Sequence, residues 1–472
     1  MNMRHQMLIN GKMSNGSRSL DVVDPATGEV FATSACASRE EIEDAVAAAA
    51  AAYPAWSATS LEERRTVLIK MAEAIEANLE SIARTLTSEQ GKPIDDALGE
   101  VGGAAYFLRY YAGLEIPVEM IEDSEVRRVE LHRKPLGVVA AIVPWNFPVL
   151  TAVNKAGAAL LTGNTVVVKP AATTPLATLE IAALWQDIVP PGTVNIVTDK
   201  NDLGDVLTGH PLVRKISFTG STNTGMKVMS AGSSTLKRMT LELGGNDSGI
   251  VLDDCDPDIV SQQLFDSAFA NNGQVCIALK RLYVHDSQYD AVCAKLAEIA
   301  KTTVVGPGSQ QGTKLGPVQN RVQYDKLKAL IEETRDQGTI IAGGDSPEGS
   351  GYFINPTIVR DIADDARLVT DEQFGPVLPV MRYADINDVV ERANNTSFGL
   401  GNSVWSADPE RAGAVAERLD SGSVWINKHG DIGPNTPFAG AKMSGVGIEM
   451  GMHGLLEFTQ AKVMNFAKSA NV

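Results

Sequence analysis

Cysteine is scarce in this chain: Cys36, Cys255, Cys276 and Cys293 are the four among 472 residues. They show no C-x-x-C spacing and no neighbouring histidine, so neither a disulfide framework nor a zinc site is suggested, and no metal is expected. No histidine lies close in sequence to Cys276, which argues against a Cys-His hydrolase. Basic blocks are missing too. The net charge is -17, which argues against a nucleic-acid partner and serves solubility. No stretch reaches the roughly 18 to 20 apolar residues of a membrane span, so no membrane partner is expected. The start, Met1 to Gln6, runs into Leu8-Ile9-Asn10-Gly11 without a long apolar core. No signal peptide is read there, and the expected location is cytoplasmic.

What is present describes a globular chain, with 44% hydrophobic and 21% charged residues and a length that implies two or three domains. Residues 40 to 52 and 60 to 88 read as helices. The second opens with Ser60-Leu61-Glu62-Glu63, a capping-box pattern, and closes at Gly91-Lys92-Pro93. From Val138 the pattern changes to short β-branched runs alternating with helices. Val138 to Val143, Thr165 to Lys169, Val194 to Val197 and Lys215 to Phe218 predict a parallel sheet covered on both faces. A second strand-helix series runs from about 248 to about 430, with Cys276 in its first helical stretch. Two segments fit neither series: Glu125 to Lys134 and the tail from Leu456 to Val472. Exposed strand-like pieces of this kind often pair with another subunit.

Ligands of such sheets bind at the carboxyl ends of the strands, so the residues that leave each strand matter most. Lys169 could hydrogen-bond a ribose hydroxyl or simply end its strand in solvent. Gly220 and Ser221, in Phe218-Thr219-Gly220-Ser221-Thr222, could admit a phosphate at a helix N-terminus; a plain strand-to-helix turn reads equally well. Asn146, in Trp145-Asn146-Phe147-Pro148, could stabilise a developing oxyanion with the Cys276 amide, or satisfy its own turn. Glu242 precedes Gly244 and Gly245, and Cys276 ends Asn271-Asn272-Gly273-Gln274-Val275-Cys276. Alone, Glu242 reads as half of an ion pair and Cys276 as a small buried hydrophobe. Together they offer a soft nucleophile and a carboxylate base, which suits chemistry whose acceptor is a bound cofactor.

In this order, these residues resemble the aldehyde dehydrogenase superfamily. The resemblance rests on Pro144 to Pro148, Gly163-Asn164-Thr165 through Lys169-Pro170, Phe218 to Thr222 and Glu242 to Gly245. It continues through Gly273 to Cys276, Glu372-Gln373-Phe374-Gly375-Pro376 and Pro437 to Gly445. It implies an α/β fold. A Rossmann-like cofactor domain would span 1–117 and 136–244, an α/β catalytic domain 245–456, and a small β oligomerisation element 118–135 with 457–472. It further implies a homodimer or homotetramer that oxidises a small-molecule aldehyde to the acid with NAD(P)+. Cys276 would form a thiohemiacetal, then a thioester; Asn146 would hold the oxyanion; Glu242 would activate water. Lys155 and Glu449 stand at positions of a proton relay. Trp145, Lys169, Ala172, Gly220, Ser221, Glu242, Glu372 and Phe374 fall at cofactor-binding positions, and Phe147, Thr151 and Asn154 at the substrate tunnel.

The chain departs from the family pattern at Lys169-Pro170-Ala171-Ala172, where many relatives carry a glutamate at the last position. Without that carboxylate a 2′-phosphate meets no like charge, so NADP is expected to be tolerated or preferred. Asn246-Asp247 follows Gly245 where lysine is frequent, and Ile448 stands where arginine is common. Semialdehyde-type relatives often place arginine at Asn154, so an uncharged aliphatic or aromatic aldehyde is the better expectation, although Lys280 and Arg281 follow the nucleophile. A semialdehyde dehydrogenase is one alternative. A coenzyme A-acylating relative is another, opposed by Glu242, since such enzymes generally lack that base. An inactive cofactor-binding protein is a third, opposed by the intact set Cys276, Glu242 and Asn146.

Overall fold

A computed structural model describes residues 5–347 and 349–468. Met1 to Arg4 and the last four tail residues, on which parts of the leader and tail readings fall, lie outside them. The fold is mixed α/β, as expected. An eight-stranded sheet runs in the order 12–14, 7–9, 194–196, 165–169, 138–142, 213–219, 238–242, 445–446. Its five central strands are parallel. Chain order reverses between Val138–Ile142 and Val213–Thr219, which makes that junction the switch point where such sheets bind ligands. Every residue of Val138–Ile142 and Thr165–Lys169 is buried, as the continuous β-branched runs require of strands covered on both faces.

A seven-stranded sheet follows in the order 339–342, 357–360, 377–383, 279–285, 247–251, 401–405, 423–426, parallel except at its first pair. Only Leu243 to Asn246 separate strand Arg238–Glu242 of the first sheet from Asp247–Val251 of the second. The carboxyl edge of one sheet therefore faces the amino edge of the other across four residues.

The two orphan segments meet. Strand Arg127–Pro135 lies between Glu119–Asp123 and Thr459–Ala467 in an antiparallel three-stranded sheet. Val118, Met120, Ile121, Val126 and Val463, on or beside it, are 50% to 66% exposed.

Two readings need correction. The single helix expected over 60–88 is two, Leu61–Ala77 and Leu79–Gln90, joined at Asn78, whose side chain bonds back to the Ala74 carbonyl. Its predicted capping box is present: Ser60 and Glu63 satisfy each other's backbone donors, a motif that contributes about 1 kcal/mol. Cys276 is not in a helix. Helix Pro257–Phe269 ends seven residues earlier, and the chain enters a left-handed turn at Asn271 (φ 48°) and Asn272 (φ 59°).

Candidate active site

The carboxyl ends of four adjacent parallel strands deliver Lys169, Asn146, Gly220 with Ser221, and Glu242 to one edge of the first sheet. Cys276 approaches from the opposite side, on the turn between helix Pro257–Phe269 and strand Leu279–His285. That turn is fixed by its own residues. Asn271, Asn272 and Gly273 are all left-handed, a conformation in which asparagine and glycine cost least. At Gly273 a Cβ would run into the carbonyl of Gly375. Buried Gln274 donates to the Asn271 carbonyl (2.9 Å) and accepts from the Gln319 amide (2.8 Å), which locks the loop from inside. The Asn146 amide donates to the Gln274 carbonyl at 2.9 Å and so reaches across to the nucleophile's loop.

Cys276 keeps intermediate exposure, whereas the other three cysteines are buried. Burial pushes its thiol up to about 12; Lys280 opposes this, and the carboxyls of Glu242, Asp247 and Glu372 add to it. In the free site the proton therefore stays on sulfur, and attack requires a base or a bound cation. Lys280 donates from Nζ to the carbonyls of Cys276 (2.6 Å) and Val275 (2.9 Å) and lies 3.8 Å from Glu372. It ties the nucleophile's loop to the strand that follows it.

Glu242 is 4% exposed, and neither carboxylate oxygen has a hydrogen-bond partner among the described residues. Burial first, and then the nearby Glu449 charge, hold its carboxyl well above the ordinary range, while Lys155 pulls the other way. A buried carboxylate without partners is costly, so its acceptors are free for something absent from the protein itself, such as a water or a thiol proton. Behind it lies a closed network. Lys155 pairs with Glu449 and donates to Ser217 Oγ at 2.9 Å. Ser217 Oγ donates to Glu449 Oε1 at 3.1 Å, and Asn154 Nδ2 to Glu449 Oε2 at 3.3 Å. Tyr111 donates to Asn154 Oδ1 at 2.6 Å, so both ends of the Asn154 amide are engaged. Phe147 and Thr151 remain partly exposed at the head of helix Pro148–Leu161, which carries Asn154 and Lys155.

The strand ends around Glu242 are equally well defined. Gly220 donates to the Glu242 carbonyl at 3.0 Å, and Ser221 caps helix Thr222–Ser233 by accepting from the Thr224 amide. Thr219 Oγ1 is buried at this strand end without a partner among the described residues. At Gly244 a Cβ would strike the Glu372 carboxylate, whose Oε1 accepts from the Gly245 amide at 3.0 Å. Trp145 and Phe374 meet edge to face with ring centroids 5.3 Å apart. Lys169 does not point into open space: its Nζ pairs with Asp199 at 2.7 Å and donates to Asn201 at 3.2 Å. Ala172 packs in a small apolar cluster with Leu20 and Cys36. Open acceptors, glycines pressed against functional groups and a capped helix N-terminus fit a nicotinamide dinucleotide. No group of three His, Cys, Asp or Glu side chains suited to a metal occurs among the described residues.

Sequence reasoning passed over His429, named Asp247 only as a departure from the family pattern, and weighed Lys280 only as a partner for a substrate carboxylate. Lys280 carried one signal, its place four residues after Cys276. Asp247 is fully buried beside it, pushed up to about 7 chiefly by burial. His429, one hundred and fifty-three residues beyond Cys276 in the chain, bonds the Ile277 carbonyl (2.8 Å) and Ser403 Oγ (2.9 Å). Burial drives it down to about 3, so it is a neutral prop of the loop.

A thiol facing an unpartnered carboxyl at the switch point of a parallel sheet suits an α/β oxidoreductase of the nicotinamide-dependent class. The chain belongs to the aldehyde dehydrogenase family, whose pattern matches residues 12–464. It is 39% identical to phenylacetaldehyde dehydrogenase of Pseudomonas fluorescens over 98% of this chain and 96% of that protein. It is 37% identical to the NADP(+) succinate-semialdehyde dehydrogenase of Escherichia coli over 98% of this chain and 97% of that protein. The NAD+ complex of aldehyde dehydrogenase from Bacillus cereus superposes with a TM-score of 0.96 at 35% identity, covering 99% of this chain and 97% of that one.

Proposed function

We propose that Cys276, Glu242 and Asn146 carry the chemistry of this NAD(P)-dependent aldehyde dehydrogenase. Cys276 Sγ gives up its proton, with the open Glu242 carboxylate as acceptor, and bonds the aldehyde carbon as a thiohemiacetal. The Asn146 amide and the Cys276 backbone N–H hold the oxyanion. Nicotinamide, when bound, supplies the hydride acceptor. Cys276 then carries the acyl group as a thioester, and Glu242, its first proton already passed on through Lys155 and Glu449, takes a proton from the water that releases the acid. Lys155 and Glu449 pass that proton onward. Trp145, Phe374, Glu372, Lys169, Gly220, Ser221 and Ala172 form the cofactor's cradle. The observation that carries this reading is the buried Glu242 carboxyl with both oxygens unpartnered.

The preferred substrate is an uncharged aliphatic or aromatic aldehyde. Lys280 is held by two main-chain carbonyls, and Arg281, 2% exposed, donates to those of Asn246 (2.8 Å) and Ala393 (2.9 Å). Neither is free to meet a substrate carboxylate. The likeness to phenylacetaldehyde dehydrogenase supports this reading, and those to succinate-semialdehyde dehydrogenases keep a semialdehyde as the second. Residues 1–117 with 136–244 form the cofactor domain, 245–456 the catalytic domain, and 118–135 with 457–472 the element that joins subunits of a dimer or tetramer. The exposed apolar residues of the three-stranded sheet support this last assignment. The working location is the cytoplasm; no helix among the described residues is long and apolar enough to cross a membrane.

The test is cofactor reduction by wild type and Cys276→Ala, with NAD and NADP, over aliphatic, aromatic and carboxylated aldehydes, with and without coenzyme A. Turnover of uncharged aldehydes without coenzyme A, lost in the alanine variant, is the expected result. Turnover that survives Cys276→Ala overturns the mechanism, and a clear preference for carboxylated aldehydes overturns the substrate class.

A further inference from the structure

Asn146 sits on a loop that its own sequence does not hold. The helix after it, Pro148–Leu161, has Phe147 at its N-cap and makes no side-chain cap. The missing cap comes from another element. Glu100, in the middle of helix Ile94–Ala112, accepts at Oε1 from the amides of Val149 (3.0 Å) and Leu150 (3.2 Å). Its other oxygen meets Lys92 Nζ at 2.5 Å, with both side chains 1% exposed. Lys92 then donates to the Asn146 carbonyl at 2.9 Å and stands 4.0 Å from the centre of the Phe147 ring. All three ammonium hydrogens thus have an acceptor: a carboxylate, a carbonyl and an aromatic face.

Lys92 is itself fixed. It lies between Gly91, left-handed at φ 96°, and Pro93, and its amide donates to Gln90 Oε1 at 2.9 Å. At Gly91 a Cβ would collide with Pro317 and Pro25. From this anchored point one buried ion pair grips the peptide from Asn146 to Leu150 at both ends. The carbonyl of Asn146 is pulled one way by Lys92 and by Asn271 Nδ2 (3.2 Å), which directs its side-chain amide to the nucleophile's loop.

We infer that Lys92 and Glu100 are positioning residues for the oxyanion step, acting through the backbone of Asn146. The inference rests on the role proposed above for Asn146. A buried pair of this kind adds little net stability, and its worth lies in fixing one geometry. Oxyanion stabilisation is the term most sensitive to such fixing, since a displacement near 1 Å costs about a hundredfold.

The experiment is a double-mutant cycle read by rapid mixing. The rate of the first hydride transfer is measured with NAD+ and whichever aldehyde turns over fastest. K92M, N146A and K92M/N146A are compared with wild type, alongside K92M/E100Q, which removes the unpaired buried charge that K92M creates. N146A is expected to slow the step about 10²- to 10³-fold. K92M and K92M/E100Q should each slow it about 10- to 100-fold, with unchanged NAD+ dissociation constants. In the N146A background K92M should slow it no further. Slowing by K92M that persists in that background, or its absence from both Lys92 variants, overturns the inference. Should K92M not fold, K92M/E100Q measured with and without N146A decides between these outcomes. An N146A rate equal to wild type overturns the oxyanion reading itself, a result separate from any Lys92 effect.

Discussion

The pair behind the proposed base yields the sharpest prediction. Burial first, then the charge of Glu449, hold the Glu242 carboxyl high, and Lys155 pulls it down. Glu449→Gln removes the like charge and leaves Lys155 as an uncompensated cation, so both effects lower the Glu242 pKa. Lys155→Met does the reverse. Activity that depends on ionised Glu242 falls on the acid side as that group takes up a proton. The acid limb of kcat/KM should therefore move to lower pH in Glu449→Gln and to higher pH in Lys155→Met. Stability should drop in both. Each change strands one partner of a pair whose side chains are 0% and 6% exposed, a loss of about 3–5 kcal/mol. Lys155→Met/Glu449→Gln should lose less than the sum of the two, because neither charge is then left alone. Steady-state profiles with a fast substrate give the limbs, and urea midpoints give the cost. Limbs that move in the same direction in both variants would refute the electrostatic account of Glu242.

Three further outcomes follow from single positions. Ala172→Glu, which restores a carboxylate beside Leu20 and Cys36, should lower kcat/KM for NADP about tenfold or more and leave NAD within about twofold, measured by cofactor reduction. Gly273→Ala should cost about 1–3 kcal/mol and about a hundredfold in turnover, because φ is 71° there and a Cβ meets the Gly375 carbonyl. Glu89, fully buried as the cap of helix Leu176–Trp185 through the amides of Leu176 (2.6 Å) and Ala177 (2.9 Å), is pushed up to about 8 chiefly by burial. A carboxyl raised in the folded state binds its proton more tightly there, so its contribution is lost as pH climbs from about 4.5 towards about 8. Glu89→Gln should flatten the decline of Tm across that window; an unchanged slope would show that Glu89 is ionised in the native protein.

The parallel sheet was legible because its strands are buried on both faces and read as unbroken runs. Thr165 to Lys169 matches to the residue, and Val138 to Val143 to within one. The Cys276 loop reads as helical in the sequence because apolar spacing says nothing about three successive left-handed residues; the cue is chemical, in the identity of Asn271-Asn272-Gly273. Likewise Asn78 ends one helix and begins another at a point where periodicity alone runs on. Lys169 is placed by its strand end, but its ion-pair partner Asp199, thirty residues away on the loop after another strand, is not visible in the sequence. Lys92, Glu100, Lys280 and His429 share this difficulty. Their roles come from contacts with main-chain atoms that only the folded topology brings near, and main-chain atoms leave no mark in a sequence.

The rarity of cysteine has a final consequence. Cys36 lies in a small cluster with Leu20 and Ala172, while Cys255 and Cys293 are sealed in the core beside the second sheet. The one partly accessible cysteine among the described residues keeps its proton in the free site, so peroxide reaches it chiefly when the thiolate forms during turnover, and no second accessible cysteine there offers a bridge to the sulfenic acid. Loss of turnover should then track one oxidant equivalent per subunit, and occupancy of the aldehyde or acyl adduct would be the protein's own shield.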